Sequence, residues 1–234
     1  MKERGIPFSA PMVRAVINGT KTQTRRVIKD CWGVNDGVPW KSAPTGHTGV
    51  TGVKDIPCPH GKPGDRLWVR EHYRVSNKHD SIPPRDIPAR SCTVFFEAGG
   101  SLANQANGRW EVDNDFSAKD AGDWVGKFRP GMFMPRWASR ITLDLTGVRV
   151  ERLNDISEAD ARAEGIFSFE HFWRDTEYPL ANVAYMPMPG WDTKYSSAVA
   201  AYEALWEHIN GPRSWSANPW VWVEEFKPIS KEQP

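Results

Sequence analysis

The sequence predicts an α+β fold, a small mixed β-barrel with flanking helices and long loop insertions. The segments with β character are few and short, and long stretches rich in glycine, proline and polar residues separate them. Helical periodicity is confined to two short segments and one longer one. We therefore expect a single domain over residues 1–234, with insertions at about 30–64, 76–131 and 167–193.

The first predicted helix ends at a glycine and leads into a cationic segment. Ser9 is a suitable N-cap, Pro11 fits the first turn, and Gly19 stands where a left-handed C-terminal cap is expected. The apolar side chains of this helix are Met12, Val13, Val16 and Ile17. Residues 21–26, Lys-Thr-Gln-Thr-Arg-Arg, are rich in cationic and hydroxyl side chains. The end of a helix does not require so many of them, which indicates a further role.

The remaining elements follow from local patterns. The predicted strands are Arg66–Arg70, Ser91–Ala98, an alternating segment within Arg136–Leu153, and Pro219–Phe226. Ser157 and Asp160 form an approximate capping box for a helix that Gly165 ends. An amphipathic helix is predicted over Tyr195–Ile209, with Ile209 facing inward, and Gly211 stops it.

Composition limits the classes of function. The net charge of +1 gives no general case for nucleic-acid binding, although the segment from Arg14 to Lys29 is locally cationic. The three cysteines are odd in number and widely spaced, which suits a reducing compartment. There is no signal-peptide pattern and no run of eighteen apolar residues, so we expect a soluble, cytoplasmic protein without a membrane partner.

Lys21, Thr24 and Glu164 are residue types that together suit acyl transfer. A threonine hydroxyl becomes a nucleophile when a base removes its proton, and a lysine can be that base when burial or nearby cations lower its pKa. Positions 21 and 24 of a regular strand point to opposite faces, so their cooperation requires irregular backbone. Glu164 falls in the last turn of its helix, where the dipole disfavours a carboxylate by roughly 0.3–1 kcal/mol. A proton-donating role would explain a glutamate there.

Five motifs resemble the ASCH domain family, small relatives of the PUA-type RNA-binding barrels. They are Gly19-x-Lys-Thr-x-Thr-x-Arg26, Pro63–Glu71, Phe133–Ile141, Asp155–Ile166 and Asn218–Phe226, in the order of the long ASCH proteins common in phages and prophages. The resemblance implies a PUA-like barrel of five or six strands with a cleft between barrel and helices. This chain is roughly twice as long as the compact members of the family, so its insertions could reshape that cleft.

The resemblance also implies a reaction. A small bacterial member of the family hydrolyses N4-acetylcytidine with a lysine, a threonine and a glutamate, which fall on Lys21, Thr24 and Glu164. By that correspondence Thr24 attacks the acyl carbonyl, Lys21 is the base and Glu164 protonates the departing cytosine amine. No metal or other cofactor is needed, and the expected partner of a monomeric protein is a modified nucleoside or RNA.

The alternative is a non-catalytic module that binds RNA or modified nucleic acid through the same cationic cleft, and a nuclease is a third option. Four further residues are expected at the substrate: Phe8, Arg26, Glu71 and Arg136. Phe8 suits stacking on a base or packing onto the first helix, and Arg26 suits a phosphate clamp or a cation that tunes Lys21. Arg136 could contact a phosphate, and Glu71 could line the cleft.

No metal site is expected from the cysteines and histidines. Cys58-Pro-His60, with Cys31 and His47, contains the right residue types for zinc. Its spacing is not that of an established zinc site, and no second Cys-x-x-Cys pair exists.

Overall fold

The structure is a computed structural model, and it describes residues 1–31, 33–35, 37–44, 51–90, 92–104, 110–168, 184–185 and 194–229. Most of its strands have five residues or fewer. The strands are β1 (Glu3–Pro7), β2 (Gln23–Val27), β3 (Gly33–Asn35), β4 (Val38–Pro44), β5 (Thr51–Asp55), β6 (Arg66–Arg70), β7 (Tyr73–Arg74), β8 (Thr93–Phe96), β9 (Ser101–Asn104), β10 (Trp110–Asp113), β11 (Thr142–Arg152), β12 (Phe167–Ser168), β13 (Ala184–Tyr185), β14 (Lys194–Tyr195) and β15 (Trp220–Ile229).

The helices are shorter in total than the strands. The α-helices are α1 (Ala10–Ile17), α2 (Ala118–Ala121), α3 (Glu158–Ala163) and α4 (Ala198–Asn210). Single 3-10 turns occur at Asn77–His79, Pro84–Asp86, Gly122–Trp124, Gly131–Phe133, Arg136–Ala138 and Leu153–Asp155. The predicted α+β class is confirmed. No sheet in the described part of the chain closes into a barrel, so the barrel stays a prediction.

The chain divides into two compact units. Unit 1 comprises Met1–Ile17, Gly64–Asp144 and Lys227–Pro234, and unit 2 comprises Asn18–Pro63 and Leu145–Phe226. Nothing tests the predicted single domain, which stays a prediction. No helix among the described residues is long and apolar enough to cross a membrane.

Unit 1 contains two sets of paired strands. β1 runs parallel to β6 from Glu3 opposite Arg66 onwards, and β6 runs antiparallel to Thr142–Asp144 of β11. A four-stranded sheet has the order β10-β9-β8-β7. The apolar core beside it includes Trp68, Tyr73, Val75, Val94, Phe96, Leu102 and Met134.

Unit 2 places two helices against a pair of long strands. β15 lies between β11 and β2, and it is antiparallel to β2 with Glu224 directly opposite Thr24. The core of this unit joins α3, α4 and β15 through Ile156, Ala161, Tyr202, Trp206, Val221 and Val223. Two small antiparallel sheets complete it, β3-β4-β5 and β12-β13-β14.

Several elements have the ends that the sequence predicts. α1 is followed by Gly19 at φ 75°, β6 covers Arg66–Arg70, and α3 has Ser157 as its N-cap. Gly165, at φ 100°, follows α3 as expected. In each case a capping or turn residue marks the boundary, which is why the position is readable from local sequence.

Other elements differ from the prediction. α4 begins at Ala198 after the N-cap Ser197, because Tyr195 pairs in β14 instead of opening the helix. Ile209 is 51% exposed in the last turn of α4 and does not face inward. β11 begins at Thr142 and is preceded by the 3-10 turn Arg136–Ala138. The stretches predicted as loops contain strands in all three insertions.

Candidate active site

The segment that carries Lys21 lies between α3 and β15, and backbone hydrogen bonds join it to both elements. Lys21 forms an isolated β-bridge with Glu164, just before β2 begins. The amide of Thr22 donates to the carbonyl of Ala163 at 2.8 Å, and the carbonyl of Thr22 accepts from the amide of Phe226 at 2.8 Å. The backbone at Lys21 and Thr22 is therefore paired with neighbouring elements and is not an exposed turn.

The Lys21 side chain ends in direct contact with Glu164. Its Nζ donates to Oε2 of Glu164 at 2.8 Å and to the carbonyl oxygen of the same residue at 2.9 Å. Lys21 is 0% exposed, and Glu164 is also buried. Because Glu164 is the C-cap of α3, the end of this helix positions both acceptors.

The environment of Lys21 favours its neutral form. Burial is the largest influence and lowers the pKa of Lys21. The charge and hydrogen bond of Glu164 oppose that change, while the positive charges of Arg26 and Arg25 add to it. The pKa of Lys21 is lowered overall, as a general base requires.

A network of arginines and carboxylates holds Glu164 from its other side. The guanidinium of Arg25 lies 3.3 Å from Glu164, 3.0 Å from Glu151 and 3.6 Å from Asp160. Arg149 extends this network to Asp160 at 3.0 Å and also contacts Glu151 and Glu225. The Arg25 side chain has no exposed surface, so its role here is to hold the three carboxylates together.

Thr24 lies in β2 and is 2% exposed. Alternation along the strand places Thr24 and Arg26 on one face, whereas Gln23 and Arg25 are on the other. Gln23 and Arg25 both contact α3 or its C-cap, because Gln23 donates to the carbonyl of Asp160 at 2.8 Å and Arg25 pairs with Glu164. Among the described residues, no hydrogen bond joins the Thr24 hydroxyl to Lys21. The structure thus brings Lys21 and Glu164 together and leaves Thr24 outside that contact.

Tyr202 of α4 is a further neighbour of this group. Burial raises the pKa of its phenol well above 10, and the negative charge of Glu164 raises it further against the opposing charges of Arg25 and Arg26. Tyr202 is therefore a neutral phenol beside Glu164. Its position in the amphipathic pattern of α4 predicts burial but does not predict that it lies near Glu164.

Of the four residues predicted to bind substrate, Arg26 lies in unit 2 with Lys21, Thr24 and Glu164. Its side chain is half-buried, and its charge contributes to the lowered pKa of Lys21. The tuning role considered for Arg26 from the sequence stays a prediction.

The other three lie in unit 1 and have their own partners there. Glu71 is 1% exposed and accepts two hydrogen bonds of 2.9 Å from Arg140. Arg136 donates to both carboxylate oxygens of Glu3, at 3.0 and 3.2 Å. Phe8 is buried, and its amide donates to the carbonyl of Arg70 at 3.0 Å.

Unit 1 also contains a pocket of about 670 Å³. Arg14, Arg74 and Lys119 supply positive charge to its lining, and Glu97 supplies a carboxylate. None of the predicted site residues lines this pocket.

A third polar group in unit 2 consists of Cys58, His60 and Glu224, whose ligand atoms lie within 4.8 Å of one another. Burial raises the pKa of the Cys58 thiol to about 11, and the charge of Glu224 adds to that change. Cys58 is therefore a thiol at neutral pH, which argues against a nucleophilic cysteine. Of the other residues considered for zinc, Cys31 donates to the carbonyl of Gly33, and His47 lies outside the described residues.

Comparison of the chain with protein-family models, with curated proteins and with solved structures finds no match. Membership of the ASCH family therefore stays a prediction from the motifs.

Proposed function

We propose that this protein is a metal-independent amidohydrolase that removes the acyl group from an N4-acylated cytidine-type nucleoside. The observation that carries the proposal is the Lys21 amine, which is fully buried, has a lowered pKa and is hydrogen-bonded to Glu164. A PUA-like barrel of the ASCH type, a cytoplasmic setting and a monomeric state belong to the same proposal. The three free cysteines support the cytoplasmic setting.

The first step is the activation of Thr24. A neutral amine has two N–H groups, so neutral Lys21 can donate to both of the Glu164 oxygens that it contacts. Its lone pair then accepts the proton of the Thr24 hydroxyl as the oxygen attacks the acyl carbonyl. Because no hydrogen bond joins Thr24 to Lys21 within the described residues, a bound water relays this proton.

The second step is the departure of the amine. The proton taken by Lys21 passes along the 2.8 Å hydrogen bond to the Glu164 carboxylate, which delivers it to N4 of the cytosine as the C–N bond breaks. This leaves a Thr24 ester. Water then attacks the ester and gives a proton to Lys21, and Lys21 returns that proton to the Thr24 oxygen as the carboxylic acid leaves.

The non-catalytic alternative receives less support from the same residues. A module that binds RNA phosphates needs positive charge that the nucleic acid can reach. The side chains of Lys21 and Arg25 have no exposed surface and are paired with carboxylates of the same unit. Burial of this kind suits pKa control better than phosphate contact.

The test is hydrolysis of N4-acetylcytidine to cytidine by the purified protein with a chelator present. Thr24→Ala should lower kcat by roughly 10³-fold or more, because the nucleophile is lost. Thr22→Ala is the matched control, since Thr22 is an exposed threonine two residues away and should retain activity. Lys21→Arg keeps the charge but cannot supply a neutral amine, so it should also be inactive.

Two results would contradict the proposal. One is a correctly folded wild-type protein without turnover on N4-acyl cytidines, in which case salt-dependent RNA binding would support the alternative. The other is equal activity of Thr24→Ala and Thr22→Ala, which would remove Thr24 from the reaction.

A further inference from the structure

Glu224 is a buried carboxylate whose side-chain partners among the described residues are a histidine and a cysteine. It is 0% exposed, and no lysine or arginine pairs with it within the described ranges. Its Oε2 atom has no hydrogen-bond partner there. Burial of an ionised carboxylate is costly unless a cation or several donors compensate it. A cation bound here would compensate a charge on Glu224 that no lysine or arginine of the described residues reaches.

The other oxygen of Glu224 faces two good metal ligands. His60 contacts Oε1 through Nδ1, and Sγ of Cys58 lies 3.6 Å from the same oxygen. Sulfur, nitrogen and oxygen ligands in one group are typical of zinc sites. A zinc ion with a Zn–S bond of about 2.3 Å and a Zn–O bond of about 2.0 Å at the tetrahedral angle would separate the two ligand atoms by about 3.5 Å. The Sγ–Oε1 separation fits that value, whereas His60 Nδ1 and Oε1 are closer together than two ligands of one ion, so the His60 ring would shift when the ion binds.

Cys58 and His60 belong to one tight turn of the backbone. The amide of Gly61 donates to the carbonyl of Cys58 at 3.3 Å, which closes a turn with Pro59 at its second position. Gly61 has φ 122°, a conformation that a residue with a side chain rarely adopts. The third ligand comes from β15, a long paired strand, so two rigid elements converge on this point.

We propose that Cys58, His60 and Glu224 bind one divalent ion of the zinc class, with the fourth coordination position open to water. His60 is partly exposed, which gives the ion a path from solvent. The ion would compensate the negative charge of Glu224 and would tie the turn at Cys58–Gly61 to β15. Because Glu224 is the cross-strand partner of Thr24, the ion would lie on the same face of the strand pair as Thr24.

This site is independent of the proposed hydrolase. The reaction assigned to Lys21, Thr24 and Glu164 has no step through a metal, and it is tested with a chelator present. Metal binding is measured without substrate, so either proposal can fail while the other stands.

The experiment is a titration of the full-length protein with Co²⁺ and then Zn²⁺ after removal of bound metal. We expect one equivalent of Co²⁺ to produce a thiolate-to-cobalt charge-transfer band that one equivalent of Zn²⁺ removes. Glu224→Gln should weaken Co²⁺ binding at least 10-fold, and Cys58→Ser should abolish the band. Cys31→Ser is the matched control, because Cys31 is a second cysteine of the same unit and should leave the titration unchanged.

A second measurement does not depend on how well the variants fold. Zn²⁺ at about 100 times its Kd should raise the Tm of the wild-type protein by roughly 5–10 °C. A wild-type protein without a stoichiometric band, or without a shift in Tm, would overturn the proposal. So would a band that Cys58→Ser retains and Cys31→Ser loses.

Discussion

At the scale of single residues, Lys21 is the position where fold stability and proposed chemistry oppose each other. Burial of an ammonium group is unfavourable, and Glu164 only partly compensates it because Arg25 shares the same carboxylate. The residue can respond by losing its proton, which an arginine at the same position could not do. A general base needs such a readily lost proton, whereas a lysine with a purely structural role would be more stable fully paired and charged.

The lowered pKa of Lys21 makes the stability of the protein depend on pH in a defined direction. Between the lowered pKa in the folded state and the ordinary value of 10.5, the unfolded chain binds more protons at Lys21 than the folded one. The free energy of unfolding should therefore increase with pH across that window, and the penalty for burying the charged form applies below it. Denaturant unfolding from about pH 7 to 10 measures this slope.

Lys21→Met is the control for that slope. It removes the titrating amine and leaves Glu164 paired with Arg25, so the increase should become smaller in the variant. Equal slopes in the two proteins would show that Lys21 stays protonated in the folded state, and the base assigned to Thr24 would be lost.

The residues of the candidate site differ in how far sequence could predict them. Lys21 and Glu164 were paired through the resemblance of two motifs, and the structure places them in contact. The position of Thr24 outside that contact follows from strand alternation, which the sequence already indicated. Glu224 could not be found in this way, because it is 164 positions from His60 and only the pairing of β15 brings them together.

At the scale of elements, α3 connects the candidate base to the ion-pair network. Asp160 and Glu164 are four residues apart, so they lie on the same side of the helix and its C-cap. Asp160 binds Arg149, while Glu164 binds Lys21 and Arg25. The position of this helix therefore sets the distance between Lys21 and its acid partner.

The N-cap of α3 should control that position. The Ser157 hydroxyl accepts from the amide of Asp160 at 3.1 Å and donates to its carboxylate at 2.8 Å. Ser157→Ala should lower the free energy of unfolding by about 1 kcal/mol, since an alanine N-cap leaves the amide unsatisfied. Urea denaturation measures the loss.

Ser157→Asn is the matched variant, because asparagine is also a good N-cap and should retain most of the stability. If the alanine and asparagine variants are equally stable, the cap contributes nothing and α3 is held by packing alone.

The elements that the sequence predicts have capping or turn residues at their ends, and the elements that it does not predict lack them. α1 and α3 have capping residues and apolar periodicity, while β6 has a buried apolar centre between charged ends. The strands β3, β4 and β5 contain prolines and glycines and lack alternation, because their formation depends on pairing with one another. The predicted start of α4 is too early for the same reason: Tyr195 belongs to β14, which forms by pairing with β13.

At the scale of the whole molecule, each of the two units contains a buried carboxylate that sequence assigned to the site. In the described part of unit 1, the basic partner of Glu71 is Arg140, which binds it with two hydrogen bonds. Among the described residues of unit 2, Glu164 pairs with Lys21 and Arg25, and Arg25 also contacts the carboxylates of Glu151 and Asp160. The two carboxylates are equally hidden from solvent, but their surroundings predict different consequences of mutation.

Glu71→Gln should be the more destabilising change. It leaves the buried guanidinium of Arg140 without a counter-charge, and an arginine cannot lose its proton to relieve this, so a loss of about 3–5 kcal/mol is expected. Glu164→Gln leaves Lys21 able to become neutral and Arg25 paired with Glu151 and Asp160, so its loss of stability should be clearly smaller. Urea denaturation of both variants measures the difference.

Activity should follow the opposite order. In the folded fraction of each variant, Glu164→Gln should lose turnover of N4-acetylcytidine because the proton donor is absent, whereas Glu71→Gln should keep the KM and kcat of the wild-type protein. A Glu71→Gln protein of normal stability with a raised KM would instead make Glu71 the substrate-binding residue that the sequence predicts. Equal stability and equal activity of the two variants would mean that neither carboxylate has the role assigned to it.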